Sequence, residues 1–428
     1  MHVLIAAAGS HGDVVPFVGL GHRLAAAGYE VSLATHAAFE ASVRGAGLEF
    51  RGLPVNPRAE LASEHGQRLL RSGAGPACVV RALRFGRRFM PELGRGLLDA
   101  VAEGCDLVLL SATTAPLGQV VAEGMRLPSA GLSLQPLAPT AEFFPAVAGS
   151  AVSLGRYGNR IAGGAAQLAV DRLFAPTVGQ LRRQLGLPAE TAGRMRRRHA
   201  DRGWPVFHGF SPLVVPRPAD WAPSVSVAGY WWPHQEPGWR PSDRLCDFLQ
   251  AGPPPVFVGF GSLVVDDGDW LSRVVAGALR AARVRAVVQR GWSGLSLAGD
   301  DVLMVDEVPH AWLFPRVAAV VHHAGAGTTG AGLRAGVPSV AVPAQLDAPF
   351  WAARLAALGV GPEPVPLREL SAGRLAAALR QAVGTPAYGL RAQALADRLK
   401  TEDGARDVLE FARQTTAIRH HSIDTRRS

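Results

Sequence analysis

Lysine is almost missing from this chain: Lys400 is the only one, so the formal net charge of +9 is carried by arginine. Most arginines stand singly in helix-like segments. The denser runs, Arg194 with Arg196, Arg197 and Arg198, and the tail from Arg419 to Arg427, carry no interleaved aromatics, so nucleic acid is not an expected partner. The run near Arg196 reads as a solvated face or as a collector of an anionic ligand. Cysteine is scarce as well. Cys78, Cys105 and Cys246 lie far apart, which supports neither a disulfide framework nor a clustered cysteine metal site and agrees with a reducing compartment. No uninterrupted apolar stretch approaches the length of a membrane span, and the opening MHVLIAAAGSHGD has no basic leader, so the expectation is a cytoplasmic protein without stable membrane insertion. Charged residues make up only 18% of the chain against 48% hydrophobic, a balance that excludes a disordered protein and favours a large buried interior.

What is present is a repeated strand–helix rhythm. A chain of 428 residues is too long for one core and predicts two domains. Residues 2–7 form an apolar run without alternation and end in Gly9-Ser10-His11-Gly12. Apolar positions at helical spacing follow over 16–27, then a second apolar run over 30–35. That is a βαβ unit with a sheet buried on both faces, and the pattern returns at 106–111 and 128–134. From about Pro205 the composition turns to Pro, Trp and Gly. Beyond it the rhythm restarts at 255–260, 285–289, 302–305, 317–322 and 338–343. The expected division is an α/β domain over 1–212, a linker over 213–240 and a second α/β domain over 241–388. A helical segment over 389–415 is expected to pack back toward the first domain, ahead of a basic mobile tail at 416–428. The fold class is α/β: two Rossmann-like parallel-sheet domains facing a central cleft, with ligands at the carboxyl ends of the strands.

The chemistry-bearing stretch of the second domain is His322-His323-Ala324-Gly325-Ala326-Gly327-Thr328-Thr329-Gly330, running from a strand toward a helix expected from about Ala331. Small residues let backbone amides approach an anion, and a helix start adds unpaired N–H groups and positive partial charge, so this is a diphosphate cradle. His322, His323, Thr328 and Thr329 can add side-chain donors. Gly325, Gly327 and Gly330 also spell GxGxxG, with Asp347 lying 17 residues further on, which keeps an NAD-dependent dehydrogenase open as an alternative. Asp266-Asp267-Gly268-Asp269 looks like a DxD metal motif, but its place before a helix at Trp270 reads more simply as acids complementing a helix dipole.

Taken together, GSHGDVVPF, VGFGSLV, GWSGL, VPHAWLFPRVAAVVHHAGAGTTGAGLRAGVP and DAPFWAARLAALGVG resemble the sterol and antibiotic glycosyltransferases of the nucleotide-diphosphate-sugar superfamily. The resemblance spans both domains. It implies a GT-B fold, acceptor bound mainly by the N-terminal half and donor by the C-terminal half. It implies donor phosphate contacts from His323, Gly325, Gly327, Thr328 and Thr329, with Ser262 reaching the diphosphate from the opposite loop. Trp292 and Val308 fall where the nucleobase is held. Asp13 falls at the catalytic base, with His11 orienting it, contacting phosphate or replacing it. Asp347 and Ala348 stand where relatives hold sugar hydroxyls with an Asp-Gln pair, so one amide is lost and the donor sugar, hexose or deoxyhexose, stays open. For Asp13 a local role at the start of the first helix is the competing reading.

No essential metal and no resident cofactor are expected: the donor is a UDP- or TDP-sugar co-substrate, and neutral or cationic groups would stabilise the departing diphosphate. The acceptor is expected to be a small lipophilic aglycone, with Phe85, Gln135, Phe143 and Phe144 as candidate contacts in segments 71–98 and 133–157. A dehydrogenase, or a catalytically silent nucleotide-sugar-binding helper, would be the alternatives. The protein is expected as a monomer or homodimer.

Overall fold

The computed structural model describes residues 1–54, 86–235, 238–344 and 346–424, with side chains up to residue 418. Seven strands form the first sheet: β1 His2–Ala6, β2 Glu30–His36, β3 Glu49–Leu53, β4 Leu107–Ser111, β5 Ser129–Ser133, β6 Val206–His208 and β7 Val225–Val227. Their order is β3-β2-β1-β4-β5-β6-β7, and every neighbouring pair is parallel. The unbroken apolar runs of the sequence find their reason here. Val3, Leu4, Ile5 and Ala6 of β1 and all of β4 are buried, because helices cover both faces.

The second sheet repeats the plan with five strands: β8 Val256–Gly259, β9 Ala286–Gln289, β10 Val302–Val305, β11 Ala319–His322 and β12 Ser339–Ala341. Its order is β10-β9-β8-β11-β12, again parallel throughout. In both sheets the winding reverses beside the first strand, between β1 and β4 and between β8 and β11. Such reversals open a crevice at the carboxyl ends of the strands. The loops leaving β1, β8 and β11 therefore carry the site.

β7 lies inside the stretch 213–240 that composition reads as a linker, yet it extends the first sheet beside β6. The Pro- and Trp-rich sequence there is packed wall: Trp221 is buried and stacks on His208 at 4.7 Å and 21°, and Trp231 meets Phe17 at 5.6 Å. The C-terminal helical segment is two helices, Pro386–Leu399 and Arg406–Asp424. The first packs on the helix Ala326–Ala335 and contributes Ala392, Leu395 and Leu399 to a core shared with Phe350 and Trp351. The second places Val408, Leu409 and Ala412 in the core of the first sheet, with Phe411 5.8 Å from Phe207. It continues to Asp424, past Thr415 where a polar, basic tail was expected to begin.

The chain thus crosses between domains twice, and the two crossings touch. Trp231 Nε1 donates to Gly404 O at 2.8 Å, Ser211 Oγ donates to Glu402 Oε1 at 2.7 Å, and a Cβ on Gly404 would come within 2.3 Å of Tyr230 O. No helix among the described residues is long and apolar enough to cross a membrane.

Candidate active site

On the first domain the site grows from the turn after β1. Gly9 has φ of +151°, and a Cβ there would lie 2.6 Å from Asp13 Oδ2, so only glycine lets the backbone pass this carboxylate. Ser10 caps the helix His11–Ala26 and Asp13 is its third residue, whose Oδ2 accepts from the Ser10 N–H and the Ser10 hydroxyl, both at 2.9 Å. The local role and the cleft-facing position therefore coexist in one side chain, through a capping box. Asp13 is half-buried. Burial raises its pKa from the ordinary value, against the lowering effect of the Ser10 bonds and of the Gln135 carboxamide.

Asp347 faces it from the second domain, at the start of the helix Ala348–Leu358, where its Oδ2 accepts from the indole N–H of Trp351 at 2.8 Å. Burial pushes its pKa up to about 6; the Asp13 charge adds to this, while the Trp351 bond and Gln135 oppose it. Gln135, half-buried at the end of β5, thus reaches both carboxyls. Ala348 beside Asp347 is 4% exposed and belongs to the core that includes Phe350 and Trp351.

On the second domain, the imidazole of His323 sits between two glycines. A Cβ on Gly261 would approach its Cε1 to 3.1 Å, and one on Gly325 would approach its Nε2 to 2.5 Å. Burial lowers the His323 pKa to about 4, so the ring is neutral, and its buried Nδ1 has no protein partner. The helix after it begins at Ala326, with Gly325 as N-cap, five residues earlier than the sequence reading places it. Gly327, Thr328 and Thr329 therefore belong to its first turn. The amides of Ala326, Gly327 and Thr328 have no acceptor within the helix, whereas the Thr329 N–H already donates to Gly325 O at 2.9 Å. Gly327 is exposed and Thr328 half-buried.

Two expected phosphate contacts are turned inward. Thr329 is 0% exposed on the inner side of its helix, and His322 is 0% exposed at the end of β11, a strand buried along its whole length. His322 Nδ1 accepts from the Ala324 N–H at 3.2 Å, and burial drives its pKa to about 3. Ser262 is half-buried just after β8, and the Trp292 N–H donates to Gly261 O at 2.9 Å, which ties the Trp292 loop to the Ser262 loop. Trp292 and Val308 are half-buried at the ends of β9 and β10.

One residue the sequence reading passed over belongs here. His310 stacks on Phe314 at 4.3 Å and 14°, with its pKa lowered to about 4 by burial and by the proximity of His11 and His323. Only its position in the VPHAWLF block could have signalled it. His11 is exposed at the rim, its pKa lowered by the surrounding protein mass and raised by Glu307. His310 thus stands near both His11 and His323, and burial keeps the His310 and His323 rings neutral.

Phe143 packs edge-on against Phe350 at 5.2 Å, so it seals the two domains together rather than standing free in the gap; Phe144 is half-buried beside it. Phe85 lies outside the described residues. The arginine run is remote from this chemistry. Arg196 is bonded to Asp171, and Arg198 to Glu190 and Glu123, on the helix Ala192–Asp201 of the first domain. The acid run before Trp270 is a cap: Asp267 Oδ1 accepts from the Trp270 N–H at 2.6 Å. Among the described residues no cluster of three His, Cys, Asp or Glu side chains could hold a metal ion.

Comparison with known proteins places this geometry in context. Residues 3–93 match the glycosyltransferase family 28 N-terminal domain, and residues 275–411 match the C-terminal domain of erythromycin biosynthesis protein CIII-like proteins. The chain is 37% identical to the O-mycaminosyltylonolide 6-deoxyallosyltransferase of Streptomyces fradiae, over 95% of this chain and 96% of that one. It is 33% identical to a sterol 3-beta-glucosyltransferase of Arabidopsis thaliana, over 94% of this chain but 64% of the longer plant protein. Among solved structures, the glycotransferase of kitacinnamycin superposes with a TM-score of 0.69 at 19% identity, covering 97% and 98% of the two chains. The glycosyltransferase VinC, solved with dTDP, superposes with a TM-score of 0.66 at 20% identity, covering 97% of this chain and all of that one. At such identities the likeness establishes the two-domain GT-B fold.

Proposed function

The chain belongs to the glycosyltransferases of the antibiotic and sterol type, and on that premise we propose that it moves a hexose or deoxyhexose from a UDP- or TDP-sugar to a hydroxyl of a small lipophilic natural product, with inversion at the anomeric carbon. The observation that carries this reading is that the loops leaving the reversal points of two separate sheets meet across one gap: Asp13 acts on Asp347, and His11 and His323 both act on His310.

Asp13 takes the proton of the acceptor hydroxyl, the oxygen bonds to C1 on the face opposite the phosphate, and the C1–O bond breaks with its electron pair leaving on the nucleoside diphosphate. The first-turn amides of the helix Ala326–Ala335, its positive dipole end and the neutral N–H of His323 receive that charge, with Thr328 and Ser262 at the rim. Trp292 and Val308 hold the nucleobase, and Asp347 the sugar hydroxyls. Gln135 donates to both facing carboxyls. The relative named for 6-deoxyallosyl transfer supports the deoxyhexose arm, and the dTDP of the VinC structure supports a thymidine nucleotide. Charge on the leaving group is met by protein donors, so the reaction needs no metal, and activity should survive chelation by EDTA.

The test is a panel of UDP- and TDP-sugars crossed with lipophilic aglycones, read by mass spectrometry, with the product anomer read by proton NMR. An acceptor mass increased by one sugar of inverted configuration is expected. Retained configuration, or no transfer from any donor that binds, would overturn the reading.

A further inference from the structure

From Phe143 to Val170 the chain contains no Asp or Glu, and its only charges are Arg156 and Arg160. The same stretch exposes apolar side chains: Val152 66%, Leu154 59%, Tyr157 81% and Ile161 58%. Tyr157, Ile161, Gly164 and Leu168 recur at spacings of four, three and four along the helix Gly155–Gln184, so they share one face. Its opposite side buries Asn159, Gly163 and Phe174. Among the described residues a Cβ on Gly164 would meet nothing within 4 Å, in keeping with the exposure of this second apolar face. Arg156 and Arg160 flank it. Arg160 lies 3.9 Å from Asp220, whose carboxylate is already engaged by Thr140 and Ala141, and Arg156 has no ion pair among the described residues. The face also adjoins the site: the Gly149 N–H, at the start of this stretch, donates to the backbone oxygen of Leu346, the exposed residue before Asp347.

We propose that this face docks the protein peripherally on an anionic lipid surface. A phenol ring and branched aliphatic groups suit the acyl–headgroup boundary, two guanidinium groups meet the lipid phosphates, and the stretch adds no acid of its own to oppose contact, Asp220 being engaged by Thr140 and Ala141. The buried opposite face holds the helix in the domain, so the contact is superficial. Docking there brings the cleft mouth, at Gly149 and Leu346, to the membrane surface where a lipophilic acceptor partitions. That link to the acceptor rests on the function proposed above; the docking rests on this face alone.

The full chain is sedimented with vesicles of phosphatidylcholine alone and of an equal mixture of phosphatidylcholine and phosphatidylglycerol. Binding to the mixed vesicles is expected, reduced about tenfold or more in the double variant Tyr157→Ser/Ile161→Ser and weakened by Arg156→Glu and by salt. TDP affinity, measured by calorimetry, should be unchanged in these variants, which separates loss of docking from loss of fold and from failure of the donor assignment. Wild-type protein that leaves both vesicle types unbound, or a double variant that binds them equally well, would overturn the proposal. So would a dimer in sedimentation velocity that the double variant dissolves, since the face would then belong to a second copy of the chain.

Discussion

At the scale of single residues, the site is a matter of protonation states set by burial. Asp13→Asn keeps an oxygen for Ser10 but cannot take a proton, so it should lower kcat by about 10²–10⁴-fold while TDP affinity stays within about twofold. Near-normal turnover would remove Asp13 as the base. Because burial raises the Asp13 pKa, transfer should fall away on the acid side at a pH above the ordinary carboxylate range, and a pH profile of kcat/KM checks this. Asp347 yields a stability prediction of the opposite sense to an ion-paired acid. Its folded pKa, about 6, exceeds the ordinary 3.8, so the folded state binds more protons between the two and loses stability as pH rises through that window. Asp347→Asn should therefore stabilise the protein at pH 8 by up to about 2 kcal/mol, discounted for its partial exposure, and leave it unchanged near pH 4. Urea unfolding at the two pH values measures this. A destabilised variant at pH 8 would show that the bond to Trp351 outweighs the burial of charge.

The turns and helices explain why the residues stand where they do. The placement of Asp13 and His323 beside the sheet ends was legible because each lies next to an apolar strand and a run of small residues. The start of the helix Ala326–Ala335 was not, because Gly327 and Gly330 are poor helix formers and suggest a loop. Packing overrides that propensity: a Cβ on Gly330 would come within 2.7 Å of the Tyr230 ring, so the helix tolerates glycine in order to lie against the domain crossing. His310 was passed over although it stands four residues before Phe314, because its proximity to His11 and His323 brings together residues far apart in the chain. The glycines around His323 give an element-scale prediction. Gly325→Ala should weaken TDP binding by about tenfold or more, because the new methyl strikes the imidazole. In His323→Ala/Gly325→Ala the glycine substitution should cost little further, and calorimetry of the four proteins measures that coupling. Additive losses would mean that Gly325 acts on the amides directly and not through the ring.

For the whole molecule, the double crossing couples the domains. Gly404→Ala would force its methyl against Tyr230 O, so it should lower stability by about 2 kcal/mol or more and perturb transfer, both measurable in one purified variant. Acid should destabilise the whole fold. His208 and His322 are fully buried with pKa lowered to about 4 and about 3, below the usual 6.5, so the unfolded chain takes up protons that the folded one refuses. Stability is then intact above pH 6.5 and lost as pH falls, by up to about 2 kcal/mol per ring at pH 5, which calorimetric Tm values at pH 7.5 and pH 5 would register. The sequence by itself determined the two α/β halves, since a parallel sheet covered on both faces requires uninterrupted apolar strands, and it put Asp13 and the run 322–330 in glycine-rich segments next to such strands. Only the tertiary structure decided that His322, Thr329 and Ala348 turn inward, that β7 and the Trp-rich wall belong to the first domain, and that Asp13, Gln135 and Asp347 meet. Side-chain facing at a strand end, and contact between residues hundreds of positions apart, depend on how surfaces pack, and packing is a property of the folded whole.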